Sequence, residues 1–452
     1  MTTEKCLRVG YGRTNIMPDE PMPLDSYGNA EKRIHESCAN EIWYSALAFT
    51  DEDDKTLLIM SYDITQCSRL LFDKIKQYAM DKYGIDEAYI HLSGTHTHSS
   101  VAVWLEWDSV KRYREKVIAR AKEAIDMAME DRKKAELWYA NTKTEKMNFV
   151  RHYWRQDGTT CGDNHGPWST APVVTHVKDP DETMRVLKIT RVDETGNPVK
   201  DLVLVNWQAH NHLTGGSKKY VLAADFSGAF RECLEKEHDC LFTFFQGCAG
   251  DLNEVDNRLP DNTRTRDLYE YGQILADYVN DVYDKMTPLK SGKVKSLRRP
   301  FAAPLNHSMD HLYEAAKKIR DDWRASGFNN KEAVAAGEPY GIHSPYMATA
   351  ICRHYEMGES FEMNIQAYSI GDMGWTSVPV EMFDTTGVNI RKASPFEFTF
   401  TQGYTDESFG YLPTRDAYEY GCYEADTTNF APGAAELVEE KLINMLHELK
   451  EA

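Results

Sequence analysis

Apolar residues fall along this chain in two alternating periods, one of strand length and one of helical spacing. Residues 42–50 (IWYSALAFT) and 56–63 (TLLIMSYD) are apolar runs on either side of the acidic turn DEDDK, and they predict a β-hairpin. A helix follows, with Leu71, Ile75, Tyr78 and Ala79 on one face and Gly84 as its stop. The run AYIHL predicts a short strand leading into SGTHTHSS. Beyond Asp108, the residues Val110, Tyr113, Val117, Ala121, Ala124 and Ala128 recur at helical spacing. Residues 184–192 and 199–205 predict two strands around ETGNP, the second carrying the apolar LVLV. A helix near 227–237, the strand LFTFF and a helix near 265–285 complete the middle of the chain. Residues 310–340 are charged and helical, and suggest an insertion near 305–345. The late strand FEFTFTQG and a final helix near 434–450 close the pattern. This mixed order predicts an α/β fold, with layers built round a large sheet system. No linker, repeat or low-complexity tract divides the chain, so one domain is expected over residues 1–452.

Composition narrows the function classes. The chain has 452 residues, 42% hydrophobic and 27% charged, with 25 Tyr, 17 Phe and 9 Trp. Aromatics in that number need a core, which argues against disorder. A net charge of −19 makes nucleic acid and anionic membranes poor partners and leaves a small-molecule substrate as the expected one. The opening MTTEKCLRVGYGRTN has no apolar stretch of secretory length, and no 18-residue apolar run predicts a membrane span. Nine scattered cysteines without a C-x-x-C pair suit free thiols in the cytoplasm. None of these features specifies an oligomeric state.

Two H-x-H elements carry the chemistry. His96 and His98 follow the AYIHL strand; His210 and His212 follow the LVLV strand. In an extended backbone, residues two apart point to the same side, so each pair can present its imidazoles to one point. Neutral imidazole is a common zinc ligand. A histidine taken alone is more often a surface or core residue, and it is the pairing after two strands that points to a metal. The pattern departs from H-x-H-x-D-H, because Ser99 and Ser100 follow His98, and eight β/α units of an amidohydrolase barrel are not visible. A third element, QGCAGDLNE at 246–254, predicts a glycine-rich turn that either approaches a ligand or packs closely. Cys248 within it is a candidate nucleophile without a basic neighbour in sequence.

SGTHTHSS at 93–100, FVRHY at 149–153, NWQAHNH at 206–212, ADFSGAF at 224–230, QGCAGDLNE, VPVEMF at 378–383 and GYLPTRDAYEYGCYE at 410–424 occur in one order. That ordered set resembles the neutral (non-lysosomal) ceramidases and their shorter bacterial relatives. The resemblance implies an α/β catalytic domain with mixed β-sheets packed centrally and helices outside. It also implies one Zn²⁺ per chain, held by two His, one Glu and one Tyr. Carried over by motif, these are His96, His210, Glu381 and Tyr411. His210 stands four residues after Asn206, as in the short bacterial pattern. Ceramidases proper place the ligand one residue later, where this chain has Asn211, and that leaves His212 as the alternate. Tyr423, twelve residues after Tyr411 and followed by Glu424, matches the family's second active-site tyrosine. Among the remaining implied active-site residues, His98 is a proton carrier or substrate contact, Arg151 the pocket arginine and Asp251 a group orienting a histidine. Asn253 stands where ceramidases carry a catalytic serine, and Glu254 where they carry proline.

The expected activity is zinc-dependent hydrolysis of an amide C–N bond by metal-activated water. The Asn253–Glu254 departure points to a small polar substrate instead of ceramide. Ester or lactone hydrolysis, true N-acylsphingosine amidohydrolase activity and non-catalytic metal binding are the alternatives.

Overall fold

The computed structural model describes residues 6–27, 30–163, 170–215, 218–259 and 265–452. Met1–Lys5, the start of the stretch read for a secretory signal, lie outside them. The strands expected from the apolar runs form, and they join others that the pattern does not announce. These are β1 (Arg8–Asn15), β2 (Trp43–Thr50), β3 (Thr56–Tyr62), β4 (Ile90–Gly94), β5 (Lys133–Lys143), β6 (Thr183–Val192), β7 (Pro198–Trp207) and β8 (Cys240–Gln246). Together with the short strand Thr287–Leu289 on β5, they make a nine-stranded sheet in the order β8-β7-β6-β5-β1-β2-β3-β4. Its middle is antiparallel. Each end is a parallel pair, β7 with β8 and β3 with β4. A helix makes each parallel crossover: α1 (Arg69–Tyr83) between β3 and β4, and α3 (Phe226–Glu237) between β7 and β8. As expected, α1 stops at Gly84, which takes the left-handed conformation at φ 65°.

The sheet curls until its two ends touch. Ser61 on β3 donates to the Phe244 carbonyl on β8 at 2.8 Å, and Tyr11 in mid-sheet donates to the Phe242 carbonyl at 3.4 Å. The opposite face of β1 carries Gly10 and Gly12, against which α2 (Asp108–Glu130) lies. A Cβ on Gly10 would stand 1.9 Å from the Ala128 carbonyl, and one on Gly12 would stand 2.0 Å from that of Ala124. The alanines of the expected helical face therefore meet glycines of the strand, and helix and sheet approach backbone to backbone. Helix α3 packs on α4 (Leu268–Tyr283) over the β7–β8 end.

A second sheet of β9 (Val294–Pro304), β10 (Ser360–Ile370), β11 (Met373–Ser377) and β12 (Phe398–Gln402) packs on the first. Trp375 stands edge-on to Phe245 at 4.8 Å, and Asn206 at the end of β7 exchanges two 3.1 Å bonds with the Thr401 backbone. The C-terminal helix Ala434–Glu451 covers the second sheet. Between β9 and β10, where an insertion near 305–345 is expected, a helical segment leaves the sheet and extends past residue 345: α5 (Tyr313–Ala325), α6 (Asn330–Gly337) and α7 (Pro345–Glu356) close a small core of their own around Ile319, Ile342 and Ile351.

The Gly10 contact is testable. Gly10→Ala should lower the unfolding free energy by about 1–3 kcal/mol, since the added carbon can be housed only by displacing α2. An unchanged denaturation midpoint would show that helix and strand do not approach this closely.

Candidate metal centre

All three glycine- or histidine-rich motifs follow the carboxyl ends of parallel strands: THTHSS after β4, QAHNH after β7 and GCAGD after β8. Because the sheet curls, these ends come together. Thr97 and Asn211 form a parallel bridge, and the His98 amide donates to the Asn211 carbonyl at 3.0 Å. The two H-x-H elements thus lie side by side with their middle residues paired. Ring centroids are 4.7 Å apart for His96–His98, 4.9 Å for His96–His210, and 5.4 Å for His98–His210, His98–His212 and His210–His212. Neither pair is extended, which corrects the geometric expectation. His96 sits at φ 60°, and the His212 amide turns back onto the His210 carbonyl at 3.2 Å. The imidazoles converge because the loops turn.

Backbone carbonyls set the tautomers. Nδ1 of His96 donates to Thr65 at 2.8 Å and Nδ1 of His210 donates to Leu252 at 2.9 Å, leaving Nε2 of each as the lone-pair nitrogen. The Nε2 atoms of His96 and His98 are 3.1 Å apart, and ligand atoms of His96, His98 and His210 all lie within 4.8 Å of one another. Glu381 Oε2 is 3.4 Å from His96 Nε2 and 3.5 Å from His210 Nε2. Yet Glu381 Oε2 and His210 Nε2 are buried without a hydrogen-bond partner. Each such group costs about 1–3 kcal/mol when left unpaired, and a shared cation satisfies both. Imidazole nitrogens and a carboxylate oxygen are a donor set that suits zinc.

Glu381 reaches this point on a two-residue parallel ladder, Glu381–Met382 beside Tyr411–Leu412, with Glu381 opposite Tyr411. The GCAGD turn backs that ladder. Gly250 donates to the Met382 carbonyl at 2.9 Å, and a Cβ on it would stand 2.6 Å from the Glu381 carbonyl. The close approach expected of this turn is therefore to the strand that delivers Glu381. Cys248, in the same turn, is buried and outside the cavity lining, and burial pushes its thiol up to about 11. That environment does not make a nucleophile. All nine cysteines are unbridged.

Arg151 is buried and wired to several partners. It donates to Glu424 at 2.6 Å, the Gly250 carbonyl at 2.9 Å, Tyr411 Oη at 3.1 Å and Asn253 Oδ1 at 3.5 Å. His152, which the sequence reading passed over, meets the other Glu424 oxygen at 2.6 Å. Burial alone would raise the Glu424 carboxyl, but Arg151 and His152 hold it well below the carboxylate range. The rings of Tyr411 and Tyr423 are 5.9 Å apart, and both line the cavity above the histidines. Asn253 does not line it: its side chain is spent on Arg151 and Asp163.

The cavity has a volume of about 1380 Å³. His212 lines it and donates through Nδ1 to buried Glu254 at 2.8 Å. Burial would lower the His212 pKa, but Glu254 raises it above its ordinary value. Burial, then His96 and His210, hold His98 well below. Two further aromatics escaped the sequence reading. Tyr404 lies 4.1 Å from the His96 ring, and Tyr27 stands edge-on to His98 at 5.5 Å. Neither belongs to a motif, and only the fold brings them here.

Asp251 does not orient a histidine of the cluster, contrary to expectation; Thr65, Leu252 and Glu254 take that part. Its Oδ1 accepts the Asp384 amide at 2.8 Å instead. Burial, then Asp251, push the Asp384 carboxyl up to about 8. A carboxyl protonated when folded and ionised when unfolded gives the folded state more bound protons, so stability falls as pH rises from about 4 towards 8. Asp384→Asn should therefore gain on the parent chain by about 1–3 kcal/mol over that range, read by urea titration at each pH. A pH-independent difference would show Asp384 ionised throughout.

No family model and no curated protein matches the chain. Among solved structures, neutral ceramidase from Pseudomonas aeruginosa matches with TM-score 0.71 and 16% identity, over 99% of this chain and 75% of that one. A ceramidase complexed with C2 matches with TM-score 0.70 and 16% identity, over 99% and 76%. The fold of this chain is that of the neutral ceramidases, as its ordered motifs imply.

Proposed function

We propose that this chain is a zinc-dependent hydrolase that cleaves an amide C–N bond of a small polar substrate with an activated water. The observation that carries the reading is the meeting of the His96, His98 and His210 imidazoles, with Glu381 against two of them and buried lone pairs on His210 Nε2 and Glu381 Oε2 that have no hydrogen-bond partner. His96, His210 and Glu381 would hold the ion, with Tyr411 as the fourth ligand and His98 at its edge. His210 is preferred to His212 because its Nε2 lies 3.5 Å from Glu381, whereas His212 is committed to Glu254. Zinc bound there supplies a Lewis acid and lowers the pKa of water towards ~7.

The remaining work falls to the chain's own groups. Arg151, fixed by Glu424, holds Tyr411 Oη in place. Burial, then Glu424, keep the Tyr423 phenol protonated, so its O–H can donate to a carbonyl oxygen that gains charge. His212, backed by Glu254, is suited to carry a proton at Nε2 to the leaving amine. This moves the proton-carrying part from His98, whose burial among imidazoles disfavours the charged form. The amide bond is argued by analogy with the shared fold. Glu254 and several cationic side chains along the cavity support a polar substrate. Nine unbridged cysteines suit a reducing cytoplasm.

Purified protein should carry about one equivalent of zinc by elemental analysis, because such sites use three or four protein ligands. His96→Ala, His210→Ala and Glu381→Ala should each lose it. His212→Ala should keep it and lose about 10²–10⁴-fold in turnover. Full zinc occupancy in the first three variants would refute the ligand set.

Substrate class is read by assaying a fluorogenic long-chain ceramide beside a panel of small N-acyl compounds and lactones. Much faster turnover is expected on an N-acyl member of the panel. Efficient ceramide cleavage with little activity elsewhere would return the chain to ceramidase activity proper. Lactone turnover alone would move the cleaved bond from C–N to C–O.

A further inference from the structure

A continuous row of rings leads away from the histidine cluster along the cavity. Tyr411 lies 6.5 Å from His210, Tyr423 lies 5.9 Å from Tyr411, Tyr346 lies 6.0 Å from Tyr423, and Trp323 lies 5.4 Å from Tyr346. All four aromatic residues line the cavity. The last two belong to the helical excursion between β9 and β10, and so do two cations of the lining, Arg324 and Arg353. Arg353 donates to the Thr427 carbonyl at 3.0 Å, beside Tyr423.

The charges of the lining are unevenly matched. Of its three carboxylates, Glu254 is set against His212 and Asp163 against Arg258 and Asn253, while Glu381, the proposed metal ligand, lies 3.4 Å from His96 and 3.5 Å from His210. Arg151 is paired with Glu424. By contrast, Arg324, Arg353, Lys218 and Arg266 have no carboxylate within ion-pair distance among the described residues. In a chain of net charge −19, acidic side chains are in excess, yet among the described residues Arg266 and Arg353 bond only to an amide and a carbonyl oxygen, of Asn257 and Thr427. These four cations are exposed at the cavity's rim; like charges gathered at one opening attract anions to it, and the planar guanidinium matches carboxylate and phosphate oxygens.

We propose that the substrate carries an oxyanion, a carboxylate or a phosphate, that Arg324 and Arg353 of the helical excursion hold along the aromatic row while the scissile bond lies at the histidine cluster. This rests on the hydrolase reading for the identity of the scissile bond, but the anion subsite can be measured without turnover. The aromatic row accounts for the part of the substrate between the two ends, which would lie flat against the rings.

The test is calorimetric titration of the zinc-loaded full chain with phenylacetate, phenyl phosphate and the neutral isostere phenylacetamide. An anion should bind about tenfold more tightly than phenylacetamide, and Arg324→Gln or Arg353→Gln should each weaken it about tenfold at unchanged zinc content. The anion that loses more identifies the headgroup. Equal affinity for the anions and the amide, no measurable binding of either anion, or anion affinity that survives both substitutions would overturn the proposal; the last result would place the anion on the metal or Arg151. Failure of the hydrolase reading looks different. The protein would then carry no zinc or turn over no panel member, while anion binding still tracked the two arginines.

Discussion

Asn211 lies where two remote parts of the chain are joined. Its side-chain amide donates to Thr95, Ala224 and Ser227, its carbonyl accepts the His98 amide, and its backbone bridges Thr97. Through it the loop after β4 is locked to the loop after β7, although these strands stand near opposite ends of the nine-stranded sheet. The lock is only reachable because the sheet curls and β3 meets β8. Every distance in the histidine cluster depends on that closure. It also explains why residue 211 is an amide: the position faces α3 and the neighbouring loop, while His210 joins the buried histidine cluster and His212 lines the cavity.

Around the cluster, polarity is arranged by burial more than by net charge. Arg151, Glu424 and His152 form a buried ionic chain that reaches Tyr411. Such chains contribute little net stability once desolvation is counted, and their known use is to fix geometry. Here the group fixed is a phenol opposite Glu381. Nearby, Asp251 and Asp384 go the other way, with burial favouring the neutral acid. Carboxyl groups of the same motif neighbourhood are thus shifted in opposite directions, according to whether burial or neighbouring cations dominate.

The helical excursion adds a different layer. It is built on a hairpin of the second sheet, has its own small core, and sends Trp323, Arg324, Tyr346 and Arg353 to the cavity. The catalytic groups proposed for the chemistry all come from elsewhere in the chain. On the proposed reading, bond cleavage and substrate choice would be carried by separate elements, an arrangement in which one fold can serve different substrates.

The sequence by itself determined the local elements and the residue types of the candidate ligands. The hairpin, α1 with its Gly84 stop, the alanine face of α2, and the order of the motifs are properties of short windows, where a period or a turn residue has one local meaning. β1 and β5 were not legible, because each offers only a short apolar alternation, Val9–Tyr11 among glycines and Ala135–Leu137 beside lysines, too brief to stand out. The same holds for β9, which carries Pro300 and two arginines. Imidazole and carboxylate chemistry was likewise visible in His96, His210 and Glu381 as residue types. Which histidine points inward, whether Asn253 reaches the cavity, and which carboxyl backs His212 were decided only by the tertiary structure. Those outcomes turn on sheet curl and loop conformation, including a left-handed His96, and on contacts between residues 42 to 273 positions apart. No local pattern encodes a distance across that separation; the closure of the sheet does.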